Sequence, residues 1–119
     1  MSIKQPHIEN WKAQMRKGYL DLCLLLLVQN QKRVYGLEII EFLKNRLDLP
    51  VKEGTLYPLL SRLTADGLLE SIWETENDSG HPRKFYSLTP SGKEAILEMV
   101  KEFDKMVAIC ATLKRSHDE

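Results

Sequence analysis

The sequence predicts an α+β fold, mostly α, and three observations carry that expectation. Apolar residues recur at helical spacing over most of the chain. One stretch, 68–88, switches to strand-forming residues on either side of a turn cluster. A last stretch, 90–114, holds a heptad period from end to end. The 119 residues leave room for one small domain with appended arms. The core of so short a chain is modest, so oligomerisation is an expected further source of stability.

Residues 8–17 make a weak amphipathic helix, with Ile8, Trp11 and Met15 on one face and Pro6 near its start. Gly18 is expected to end or kink it. Residues 19–29, YLDLCLLLLVQ, are apolar nearly all round, as a helix buried on most sides would be. Residues 29–33 form a polar break. A second helix follows over 35–47, with Ile39, Ile40, Leu43 and Leu47 as its stripe, and Leu49-Pro50 stops it.

Residues 55–65 predict a third helix, with Leu56, Leu59, Leu60 and Leu63 facing inward. Thr55 is the expected N-cap, which puts Pro58 in the first turn; a start near Glu53 would leave Pro58 distorting the helix slightly. Asp66-Gly67 is the stop. The strands are expected over 68–75 and 83–88, around the turn cluster Asn77-Asp78-Ser79-Gly80. Thr89 caps the last helix and Pro90 opens it. Ile96, Met99, Phe103, Met106, Cys110 and Leu113 fall at intervals of 3, 4, 3, 4 and 3, a seam for a partner helix.

Three helices, a hairpin and a long helix are the order of a winged helix-turn-helix with an N-terminal helix and a long C-terminal dimerisation helix. The expected units are an N-terminal arm over 1–17, a DNA-binding domain over 18–89 and a dimerisation helix over 90–119. In that fold the third helix enters the major groove and the hairpin reaches the flanking backbone. Thr55, Tyr57, Pro58, Ser61 and Arg62 lie away from the leucine stripe, offering hydroxyls and one guanidinium to base edges or phosphates. A solvated face, with Tyr57 partly buried, is the competing account of them. His81, Arg83 and Lys84 sit beside the hairpin tip, where both cations can face DNA; the competing account is a charged edge that blocks aggregation. Lys32, Arg33 and Lys52 stand at positions for phosphate contact or simple solvation.

Charge narrows the function classes. Lys+Arg and Asp+Glu number 17 each, so bulk attraction to nucleic acid is excluded. Residues 1–69 carry ten basic and seven acidic side chains, so the front is mildly basic. Binding must come from placed contacts, doubled by a dimer, and weaken with salt. Cys23 and Cys110 are far apart and outside any CxxC, which argues against a zinc site or disulfide framework. His7, His81 and His117 are scattered, and no phosphate-binding glycine loop is present. No catalytic residue, metal or cofactor is therefore expected. The opening MSIKQPHIENWK has no apolar signal core, and the longest apolar run, 24–28, is far short of the ~20 residues of a membrane span. The expectation is a cytoplasmic protein without a membrane partner.

Several blocks resemble the PadR family of bacterial transcriptional regulators. They are Tyr35-Gly36-Leu37-Glu38-Ile39, the run EGTLYPLLSRL from Glu53 to Leu63, Asp66-Gly67-Leu68-Leu69, and GHPRKFYSLTPSG from Gly80 to Gly92. The resemblance spans roughly 17–95 in order, and the short length with one last helix is similar to the small subfamily that includes multidrug-responsive repressors. It implies a homodimeric repressor on an inverted-repeat double-stranded DNA operator. It also implies that residues 90–114 pack against the partner's N-terminal helix, with Trp11 anchoring the interface. A small hydrophobic or aromatic effector would sit between the last helices, against Trp11, Met99, Phe103 and Met106. The alternative function is a winged-helix module that binds another protein and no DNA, which the acidic residues around the wing favour. A small-molecule carrier or enzyme built on the dimer cavity lacks a visible nucleophile or cofactor motif.

Overall fold

The computed structural model describes residues 5–75 and 80–118. In chain order it has α1 (Pro6–Gln31), β1 (Val34–Tyr35), α2 (Gly36–Leu47), α3 (Glu53–Ala65), β2 (Leu69–Glu74), β3 (Arg83–Leu88) and α4 (Pro90–Asp118). Asn77, Asp78 and Ser79 of the expected turn cluster lie outside the described residues.

The two helices expected on either side of Gly18 are one continuous rod, α1. Glycine in a helix costs about 1 kcal/mol relative to alanine. Strong helix formers before it and the packed leucines after it offset that cost. Leu20, Leu22, Leu24, Leu25, Leu27 and Val28 are buried, and Ile8, Trp11 and Met15 are exposed. The rod ends at Lys32, whose φ of +69° turns the chain back. That reversal lays Val34 against Tyr86 and Tyr35 against Phe85. The expected two-stranded hairpin is thus a three-stranded antiparallel sheet, ordered β1-β3-β2. A two-residue strand leaves no periodic signal, so only its pairing with β3 reveals it.

The Tyr35 backbone N–H donates to Glu38 Oε1 at 3.1 Å, which closes the start of α2. α3 begins three residues earlier than the Thr55 cap predicts, with Lys52 at the cap position. The backbone amides of Thr55 and Leu56 both donate to the Lys52 carbonyl at 3.0 Å. Thr55 is therefore inside the helix, and Pro58 lies past its first turn, where its ring deletes one backbone hydrogen bond. The far end is a Schellman motif: Leu68 N–H donates to Leu63 O, Gly67 N–H donates to Thr64 O, and Gly67 takes φ +78°.

Thr89 ties the wing to α4. Its Oγ1 donates to Gly67 O at 2.6 Å and accepts the Gly92 amide at 2.9 Å. A Cβ on Gly92 would stand 2.2 Å from Leu68 O, so this crossing admits only glycine. The core gathers Leu24, Leu25, Val28, Ile39, Leu43, Leu56, Leu60, Leu63 and Leu69, all essentially inaccessible to solvent. α4 contributes Ile96, with Met99 and Val100 packed at the margin. From Lys101 to Ser116 every residue is exposed, and α4 runs four residues past the expected end at Lys114. The Cα radius of gyration is 17.4 Å, against about 13.5 Å for a compact domain of this length. The rods at either end account for the difference.

Candidate nucleic-acid interface

α3 buries Leu56, Leu59, Leu60 and Leu63 and turns Thr55, Tyr57, Pro58, Ser61 and Arg62 to solvent. Two of these side chains have structural neighbours. The Tyr57 ring lies over Gly36, where a Cβ would come within 2.6 Å of it. Tyr57 is 40% exposed, and it is the hydroxyl end of its ring that lies against Gly36. One terminal nitrogen of Arg62 donates to both carboxylate oxygens of Asp21, on α1, at 3.0 Å each. The single cation of the helix is therefore held by a counter-charge.

The wing supplies the other wall. Trp73 of β2 is opposite Lys84 of β3, and Glu74 is opposite Arg83. The pleat therefore continues through both cations, which stand in the strand and not at a tip where the alternation has broken down. Lys84 Nζ lies 5.7 Å from the Trp73 ring centroid and 5.9 Å from that of Tyr86. The Arg83 guanidinium lies 4.7 Å from the Tyr35 ring centroid. These rings hold the cations while leaving their charge intact. Tyr35, Tyr57, Ser61, Trp73, Arg83 and Lys84 line one cleft of about 480 Å³ between α3 and the wing. Burial pushes the Tyr86 phenol above its ordinary range, and the neighbouring Tyr57 adds to the shift.

The remaining expected contacts are dispersed. His81 is exposed before β3, Lys32 is exposed at the end of α1, and Lys52 is exposed at the start of α3. Arg33 is committed to the fold: it pairs with Glu74 and lies 4.0 Å from the Phe85 ring centroid. Trp73, Tyr35 and Asp21 were not among the expected site residues. Trp73, 65% exposed, was legible as a large aromatic on a short strand; the Asp21 role has no local signal.

Of the residues expected along the dimer seam, Ile96 is 4% exposed and belongs to its own protomer's core. It belongs to the same buried cluster as the leucines of α1 and α3, so it is unavailable to a partner. Met99 is half-buried beside it. Trp11, Phe103, Met106, Cys110 and Leu113 are exposed. Among the described residues no group of three or more His, Cys, Asp or Glu is placed to hold a metal, and no helix is long and apolar enough to cross a membrane.

An exposed third helix beside a three-stranded wing defines a winged helix-turn-helix protein of the DNA-binding class. The model of the transcriptional regulator PadR-like family matches residues 24–98, and the chain belongs to that family of DNA-binding transcriptional regulators. It is 33% identical over 100 residues to an uncharacterised protein of Lysinibacillus sphaericus, covering 82% of this chain and 90% of that one. It is similar to the X-ray structure of a PadR-like transcription factor from Bacteroides fragilis, at 40% identity and TM-score 0.73, over 87% of this chain and 98% of that one. A PadR family transcriptional regulator from Eggerthella lenta matches at 27% identity and TM-score 0.80, over 89% and 90%.

Proposed function

We propose that this regulator is a cytoplasmic homodimeric repressor. It clasps a second copy through the arm over 1–17 and the α4 rod, and binds an inverted-repeat operator. The observation that carries the reading is the apolar surface left uncovered on both rods: Ile8, Trp11 and Met15 on α1, and Phe103, Met106, Val107, Ile109 and Leu113 on α4. A monomer rarely exposes so long a contiguous apolar stripe. Pairing the stripes antiparallel across a twofold axis sets two α3 helices on one side of the dimer. Thr55, Tyr57, Pro58, Ser61 and Arg62 then face the major groove, with Arg83, Lys84 and His81 on the flanking backbone. Lys32 and Lys52 border the phosphates, while Arg33 stays paired with Glu74. Half-sites about one helical turn apart, ~34 Å, match such a dimer.

The exposed Trp11, Phe103 and Met106, with Met99 at their inner end, also support a seat for a flat aromatic effector at the dimer centre. Filling it alters the rod angle and releases DNA. Selection of duplexes from a random-sequence library, followed by footprinting, tests the reading. The expected result is a salt-sensitive inverted repeat bound by a dimer. Recovery of no sequence, or of a site bound by a monomer, overturns it.

A further inference from the structure

We infer that Asp21 is a specificity-determining residue, which withholds Arg62 from DNA phosphates unless the operator itself draws the guanidinium away. The inference rests on the DNA-binding reading above. Arg62 is the only Lys or Arg in α3. At 3.6 residues per turn it shares with Thr55 the flank of the helix that faces α1, beside the outward edge formed by Gly54, Pro58 and Ser61. Its guanidinium is held on both oxygens of Asp21 across an ion pair that joins α1 to α3. The two side chains are 55% and 25% accessible, so the carboxylate is the more enclosed member and the arginine the one open to an incoming ligand.

This arrangement has two electrostatic consequences. A phosphate approaching the flank meets a neutralised arginine and a fixed negative charge behind it. A partly exposed pair is also weak enough to be exchanged for a well-placed phosphate or guanine edge. Non-operator DNA offers only its backbone and leaves the pair closed. An operator that seats Tyr57, Pro58 and Ser61 brings its groove close enough for Arg62 to change partners. A chain with no net charge gains discrimination by keeping non-specific attraction low. Asp21 acts here through Arg62 and is a positioning residue in that sense.

The test compares wild type and Asp21→Asn on two probes: the inverted repeat selected by the wild-type protein, and a scrambled duplex of the same length. Asp21→Asn should bind the scrambled duplex about fivefold more tightly. The slope of log K against log salt should steepen by about 0.9, the increment of one added phosphate contact. The operator-to-scrambled ratio should fall, and adding Arg62→Gln should remove the gain. Circular dichroism confirms the fold, and Asp21→Ser gives a second reading should the amide disturb packing. Scrambled-duplex binding equal to or weaker than wild type in the folded variants overturns the inference, as does a gain that survives Arg62→Gln. Failure of the wild-type protein to bind either probe overturns the DNA-binding reading instead.

Discussion

The two halves of α1 carry similar apolar residues and meet opposite surroundings. Beyond Gly18 every leucine but Leu26 is buried or nearly so, in a core shared with β3 and α4; before it Ile8, Trp11 and Met15 stand in solvent, with Trp11 59% exposed. α4 repeats the division in reverse order, with Ile96 inside and Phe103 outside at 41% exposure. Helical periodicity specifies which face is apolar, and the rest of the fold decides whether anything covers it. The middle of the molecule covers its own apolar residues, whereas its rods leave theirs in solvent.

The sharpest way to break that comparison is inside the core. Leu60 is fully buried, and Leu60→Ala should cost about 3 kcal/mol, read as a lower urea midpoint with an unchanged slope. An effect below about 1 kcal/mol would mean that the core is not the self-sufficient region. On the rod, the proposed dimer predicts that Phe103→Glu raises its dissociation constant at least about a hundredfold, because a carboxylate would be buried at the seam without a partner. Sedimentation equilibrium reads the dimer. The protomer's own unfolding should move by less than about 0.5 kcal/mol, since that side chain is solvated in the single chain. The smallest expected effect separates the two thiols. Cys23, half-buried on the inner part of α1, has its thiol pushed up by burial, whereas Cys110 is exposed on the rod. Iodoacetamide at pH 7.5 should label Cys110 first in protein kept dilute enough to be monomeric.

The same burial gives a pH dependence with a definite sign. Cys23 and Tyr86 both hold their protons more tightly folded than unfolded. Their contribution to stability is full below the unfolded-state thiol and phenol values and is lost as pH rises through the raised folded values. The urea midpoint at pH 10.5 should therefore lie below that at pH 8. An equal or higher midpoint would show that neither group is desolvated in solution.

Much of the fold was legible because its signals are local. The leucine spacing of α2 and α3, the Asp66-Gly67 stop and the Thr89-Pro90 start each act within a few residues, and each stands where the pattern places it. The outer face of α3 follows from its inner one. Two local expectations failed for physical reasons. Gly18 does not break α1, because a single glycine costs less than the flanking packing returns. Thr55 does not cap α3, because Lys52 in an extended conformation starts the helix earlier and its carbonyl takes both amides.

Taken alone, the sequence determined the order of α2, α3, the hairpin strands and α4, the apolar side of each of those helices and the outward face of α3. Those properties depend on neighbours three or four positions away, or on alternate positions in a strand. Tertiary structure decided the rest. It set β1 against β3, closed Arg33 on Glu74 and Arg62 on Asp21, and drew Ile96 inward while leaving Phe103 outside. Each of those two ion pairs joins residues 41 positions apart. No periodic pattern records such a meeting, because it exists only once separate elements have packed and their side chains share one space.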